Sequence, residues 1–148
     1  MSPEDRRLAA ERFFHDQIPL TRALAIEVES CGDDGFILRA PLSANHNHLG
    51  TAFGGSLAAI ALLAGYGLLW LELDDRSAHL VVSETQIKYQ RPVRGTIRAV
   101  CRRPAEAELA EFRANFANMG KSRFQLEVLI EEKGETAVIF LGTYVAVR

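Results

Sequence analysis

Eighteen consecutive uncharged residues, Gly54–Leu71 (GGSLAAIALLAGYGLLWL), constrain this chain more than any other feature. A helix that is apolar on every side belongs either in a bilayer or at the centre of a folded domain. Eighteen residues is near the lower limit for spanning a bilayer. Glycine and alanine interrupt the first half of the run. Its flanks are His46 and His48 on one side and Glu72, Asp74 and Asp75 on the other, so no Lys/Arg cluster sets an orientation. The rest of the chain offers strands able to cover the segment. It therefore reads as a buried central helix over about 54–73, with no membrane partner.

The flanking sequence supplies the cover. Ser2-Pro3-Glu4-Asp5 is a helix start, with a Ser cap, Pro at the first helical position and acids in the first turn, and the helix runs over about 3–15. Charges at Glu4, Asp5, Arg6, Arg7, Glu11 and Arg12 exclude a signal peptide there. Residues 24–31 alternate, with Leu24, Ile26 and Val28 on the apolar side, and 36–42 return after the Gly32–Gly35 turn. Residues 43–53 form a polar loop before the central helix. Residues 79–91 read as one long strand. Alternation puts Val81, Ser83, Thr85, Ile87 and Tyr89 on one face and Val82, Glu84, Gln86, Lys88 and Gln90 on the other. A strand at 94–103 follows, then an amphipathic helix at about 105–118 opened by Pro104 and closed by Gly120. Two last strands, 122–131 and 135–147, are joined through Lys133-Gly134. Strands and helices do not alternate regularly, so the class is α+β with an antiparallel sheet, one domain over 1–148, the sheet curling around the uncharged helix.

Composition narrows the function. A net charge of -2 and a pI near 6.1 lack the basic excess of nucleic-acid binders, so no nucleic-acid partner is expected. Cys31 and Cys101 show no CxxC spacing and fit reduced thiols in the cytoplasm. Neither has a local His or helix start to lower its pKa, so neither is an expected nucleophile. His46-x-His48 has metal-ligand spacing for a strand, but no third ligand stands nearby in sequence. No metal and no cofactor are expected.

The chemically informative stretch is Asn45-His46-Asn47-His48-Leu49-Gly50-Thr51-Ala52-Phe53-Gly54-Gly55-Ser56. Gly54-Gly55 lies where the loop meets the buried helix. A helix N-terminus offers unpaired N–H groups and a partial positive charge, and glycine lets an oxygen approach the backbone closely. Such a place can polarise a carbonyl as an oxyanion hole does. The same glycines also suit plain packing, and Asn45 and Asn47 also suit loop-backbone bonding. The residues alone leave both readings open.

The strand–strand–loop–central helix–four-strand order, with Asn47-x-x-Gly50-x-x-Phe53-Gly54-Gly55 before the helix, resembles the hotdog-fold acyl-CoA thioesterases. The longer string from Asn45 to Leu57, followed by Ile87-x-Tyr89-x-Arg91-Pro92-Val93, resembles the thioesterase family named after the YiiD C-terminal domain, over roughly 20–147. The resemblance implies a sheet wrapped round the central helix, chains paired through one strand as a homodimer or dimer of dimers, and a thioester at each helix N-terminus. It implies backbone donors from Gly54 and Gly55, with Asn47 holding substrate or water. Asn45, His48, Phe53, Ser56 and Ser83 are expected to line the substrate. Arg91 and Arg94 are the expected phosphate contacts.

Two departures stand out. Phe53 replaces a His often found before the Gly-Gly, and Leu62 and Leu63 stand about where a helix Asp or Glu activates water. The base therefore comes from elsewhere, or hydrolysis is not the function. Glu84 is the first candidate base, although its strand parity reads as solvent-facing. Ser83 and Thr85 are candidates for positioning water, and His46 and His48 for titrating near neutral pH. Phe112 and Phe116 of the inserted helix suit core or dimer packing, or the cover of an acyl tunnel. The leading expectation is an acyl-CoA or acyl-carrier-protein thioesterase. The alternative is a non-catalytic acyl-thioester binding or regulatory module. A dehydratase on this fold typically places a His beside a carboxylate, and no such helix pair exists here.

Overall fold

The computed structural model describes residues 1–148 in the order α1 (Pro3–Gln17), α2 (Leu20–Ala23), β1 (Glu27–Gly32), β2 (Gly35–Ala40), α3 (Gly54–Leu73), β3 (His79–Tyr89), β4 (Ile97–Arg102), α4 (Glu106–Met119), β5 (Lys121–Glu132) and β6 (Glu135–Val147). The strands form one antiparallel sheet in the order β1-β2-β4-β5-β6-β3. It wraps α3, which is the hotdog arrangement.

The uncharged run becomes α3 because only the core accepts a helix with no polar face. By length and composition α3 could cross a bilayer. Here Leu57, Ile60, Ala61, Leu63, Ala64, Leu68 and Leu69 are buried against the sheet. Gly65 and Gly67 permit that approach. A Cβ at Gly65 would collide with the Tyr144 hydroxyl, and one at Gly67 with the Phe36 ring. Tyr144, fully buried on β6, donates to the Leu62 carbonyl of α3 at 2.6 Å.

α1 begins with a reciprocal cap. The Ser2 hydroxyl accepts from Asp5 N–H at 3.1 Å, and the Asp5 carboxylate accepts from Ser2 N–H at 3.2 Å. Phe14 is buried, and Phe13 stacks on Trp70 of α3 with centroids 4.6 Å apart. At the far end of α3, Glu72 accepts from Arg103 at 2.6 Å and from Arg113 at 2.8 Å, which ties α4 to the central helix.

Three local expectations change. The first helical region does not stop at about 15, since α1 runs to Gln17 and the short α2 follows Pro19, where Thr21 donates to the carbonyls of Phe14 and Ile18 at 2.8 and 2.7 Å. The first strand starts at Glu27 rather than 24, because Ala25 has φ 56 and breaks the extended chain. The third change concerns the faces of β3. Val82 pairs with Tyr144 and Glu84 with Thr143, which leaves Ser83 as a bulge with no opposite residue. The alternation therefore switches at Ser83. Leu80 and Val82 share the helix-facing side with Thr85, Ile87 and Tyr89, while Val81 and Glu84 lie outward. The single-face grouping of Val81 with Thr85 and Tyr89 does not hold.

Candidate functional site

α3 starts without a cap. Phe53 is extended (φ -67, ψ 134), offers no capping side chain, and no acid follows in the first turn. The first bonded amide is Leu57 N–H, donating to the Phe53 carbonyl at 3.0 Å, so the N–H groups of Gly54, Gly55 and Ser56 have no acceptor in the chain. Such a turn is a ready anion and carbonyl site. The Phe53 ring, 56% exposed, lies over Gly55, where a Cβ would meet ring atom Cε2 at 2.5 Å. Ser56 is buried.

The loop before the helix is held by Asn47. Its Oδ1 accepts from Leu49 N–H at 2.8 Å and Thr51 N–H at 3.2 Å, and its Nδ2 donates to Thr51 Oγ1 at 2.9 Å. One Nδ2 hydrogen remains. Asn47 N–H also donates to the Thr51 carbonyl at 2.7 Å, and His46 bridges to Ala52, so residues 46–52 close on themselves. Gly50 turns the loop at φ 78, a conformation that favours glycine. Asn45 is buried deeper. Its Nδ2 donates to the carbonyls of Leu24 and Pro41, both at 2.9 Å, its Oδ1 has no partner, and its own carbonyl accepts from Phe53 N–H at 2.7 Å. Asn45 thus anchors the loop from behind.

Asn45, Asn47, Phe53, Gly54, Gly55 and Ser56 are therefore gathered at one place, and sequence reasoning missed a seventh member, Tyr89. Its hydroxyl donates to the Gly54 carbonyl at 3.0 Å, and a Cβ at Gly54 would sit 3.6 Å from its ring. Its signal was its position in the Ile87-x-Tyr89-x-Arg91 string. Val93 joins through its carbonyl, which accepts from Ala52 N–H at 2.8 Å.

The remaining expected residues make hydrogen bonds or ion pairs elsewhere or stand exposed, and none bonds to the open turn. Glu84 is exposed on the outer side of β3, the edge of the sheet. Ser83, at the bulge, donates to the Thr143 carbonyl at 3.3 Å. His48 is exposed, and His46 Nδ1 meets the Asn47 carbonyl at 2.9 Å. Arg91 pairs with Glu135 and donates to the Thr136 carbonyl at 3.3 Å. Arg94 is exposed, with its N–H on Glu132 at 2.8 Å. Burial pushes the Cys101 thiol up to about 12 and raises that of Cys31, so neither supplies a thiolate at neutral pH. The three free N–H donors, lined by two half-open rings, can hold one carbonyl or oxyanion.

Solved structures share this architecture. A Chlorobaculum tepidum TLS protein of unknown function is 35% identical, with a TM-score of 0.93 over 99% of this chain and 97% of that one. A Shewanella oneidensis protein described as a "putative thioesterase" is 26% identical, with a TM-score of 0.83 over 98% and 99%. A Pseudomonas aeruginosa protein described as a "Probable Thioesterase" is 25% identical, with a TM-score of 0.80 over 94% and 93%. Residues 8–148 match a family model, and the chain belongs to that family, described as "Putative thioesterase (yiiD_Cterm)".

Proposed function

We propose that the chain hydrolyses an acyl thioester carried by coenzyme A or by an acyl-carrier protein, in the cytoplasm, at the open turn of α3. The observation that carries this reading is the unpaired N–H triplet at Gly54, Gly55 and Ser56. In the reaction, a water oxygen attacks the carbonyl carbon and its C=O electrons move onto the oxygen held by those donors. The carbon–sulfur bond then breaks, the acid forms, and the thiol leaves with a proton. Asn47 supports the turn and offers its remaining Nδ2 hydrogen to substrate or water. The reading includes a homodimer formed edge to edge through β3, in which Glu84 and Ser83 serve the second copy's site. A carboxylate so placed deprotonates the water.

One observation favours the non-catalytic alternative. No carboxylate occurs from Gly54 to Leu71. A panel of short, medium, long and aromatic acyl-CoAs and acyl-carrier proteins, assayed for thiol release, separates the two. Hydrolysis is expected for at least one class with kcat/KM of at least about 10⁴ M⁻¹s⁻¹. No release across the panel, with calorimetric binding retained, establishes the binding module instead.

A further inference from the structure

Two tyrosines bond to α3 carbonyls, and they do so differently. Tyr144 reaches the Leu62 carbonyl in mid-helix and is fully buried. Tyr89 reaches the Gly54 carbonyl in the first turn and remains 53% exposed. A tyrosine that only packs resembles the first. The second anchors its hydroxyl on the backbone of the donor turn and leaves its ring open beside it. The anchor exists because of the β3 bulge. Had Ser83 paired with Thr143 in place of bulging out, the even positions would continue on the helix-facing side and Lys88 would point at α3 in place of Tyr89. Bulges next to active sites re-aim side chains in this way. Ser56, only 9% exposed, adds a second hydroxyl-bearing side chain to the same turn.

We infer that Tyr89 is a positioning residue of this site. Its hydroxyl, through the Gly54 carbonyl, fixes the direction of the first-turn N–H groups, and its ring walls the space in which the thioester carbonyl sits. The inference rests on the thioester reading above. Because the hydroxyl acts on the donors, its effect belongs to the transition state, where the oxyanion forms, more than to ground-state binding.

The test compares wild type, Tyr89→Phe, Tyr89→Ala and Lys88→Ala, a neighbour outside the machinery. It measures kcat, KM, the melting temperature and the Kd of a non-hydrolysable S-alkyl-CoA thioether, which lacks the carbonyl. Tyr89→Phe is expected to lower kcat about tenfold while KM and the thioether Kd stay within about twofold. Tyr89→Ala is expected to lower kcat likewise and to raise KM about fivefold through loss of the ring wall. Lys88→Ala is expected to match wild type. An active wild type with unchanged kcat in Tyr89→Phe overturns the role of Tyr89 alone. A kcat loss in Tyr89→Phe that tracks a large fall in melting temperature also overturns it, by making the bond merely structural. A wild type inert toward every thioester overturns the thioester reading and this inference together.

Discussion

α1 and α3 begin in opposite ways. At α1 the chain closes its own donors, with Ser2 and Asp5 exchanging hydrogen bonds and Glu4 adding a second acid to the first turn. At α3 it supplies neither a cap nor an acid, and puts two glycines where a cap would be followed by acids. α4 lies between these cases, since Ala105 gives no side-chain cap but Glu106 and Glu108 face the helix dipole. A missing cap costs about 1 kcal/mol. The difference teaches that the open turn of α3 is a stability loss located where free donors can do chemistry.

Making α3 resemble α1 is the strongest way to break the comparison. Phe53→Asp places a carboxylate at the cap position, where it occupies the free N–H groups and opposes negative charge. Turnover is expected to fall about 10²–10³-fold. The melting temperature is expected to rise by about 3 °C, as for a gained cap. Retained turnover with a lower melting temperature sinks the assignment of these donors. Asn47→Ala comes next. It removes three hydrogen bonds from the loop that presents the turn. Turnover is expected to drop about tenfold or more while the fold survives, as read by thiol release and circular dichroism.

The smallest effect comes from opening the closed helix. Ser2→Ala is expected to lower the melting temperature by about 3 °C and leave turnover unchanged. It also alters acid sensitivity. The Ser2 hydroxyl, and then its N–H, hold the Asp5 carboxyl below its ordinary value of 3.8. A depressed carboxyl contributes stability that is fully present above that value and is lost as pH falls through the folded one. The gap in melting temperature between wild type and Ser2→Ala is therefore expected to shrink below pH 3.8. A gap that widens in acid contradicts this account of the cap.

The same contrast explains what the sequence made legible. The α1 start is local, since Ser2-Pro3-Glu4-Asp5 carries its own cap, and it reads directly. The central helix reads just as plainly, because an uncharged run of that length has few places to go. The Gly54-Gly55 junction with its Asn47 loop was also visible, but the condition of its donors was not, because a free N–H is defined by what fails to reach it. Tyr89 already stood on the side of Thr85 and Ile87, and what stayed hidden was its partner, the Gly54 carbonyl. The bulge hid the sides that Val81 and Val82 take. The alternation from Val81 to Tyr89 looks unbroken in sequence, and only pairing with Tyr144 and Thr143 on β6 shows that Ser83 has no opposite residue. For Asn45 the backbone-bonding role was one of two open readings, and its partners, the Leu24 and Pro41 carbonyls, were not readable because they come from other parts of the chain.

The paired glycines deeper in α3 carry a consequence for anyone who re-engineers this chain. Replacing a helical glycine with alanine is a routine stabilising change, because it restricts the unfolded chain and favours the helix by about 1 kcal/mol. At Gly65 the added methyl falls on the Tyr144 hydroxyl, and at Gly67 on the Phe36 ring. Both rings lie in the sheet that encloses the helix, so neither can swing into solvent. Consensus or propensity-guided redesign that treats these positions as ordinary helix interior would push the helix off its own sheet, and the substitutions that look safest on a propensity scale are among the least safe here.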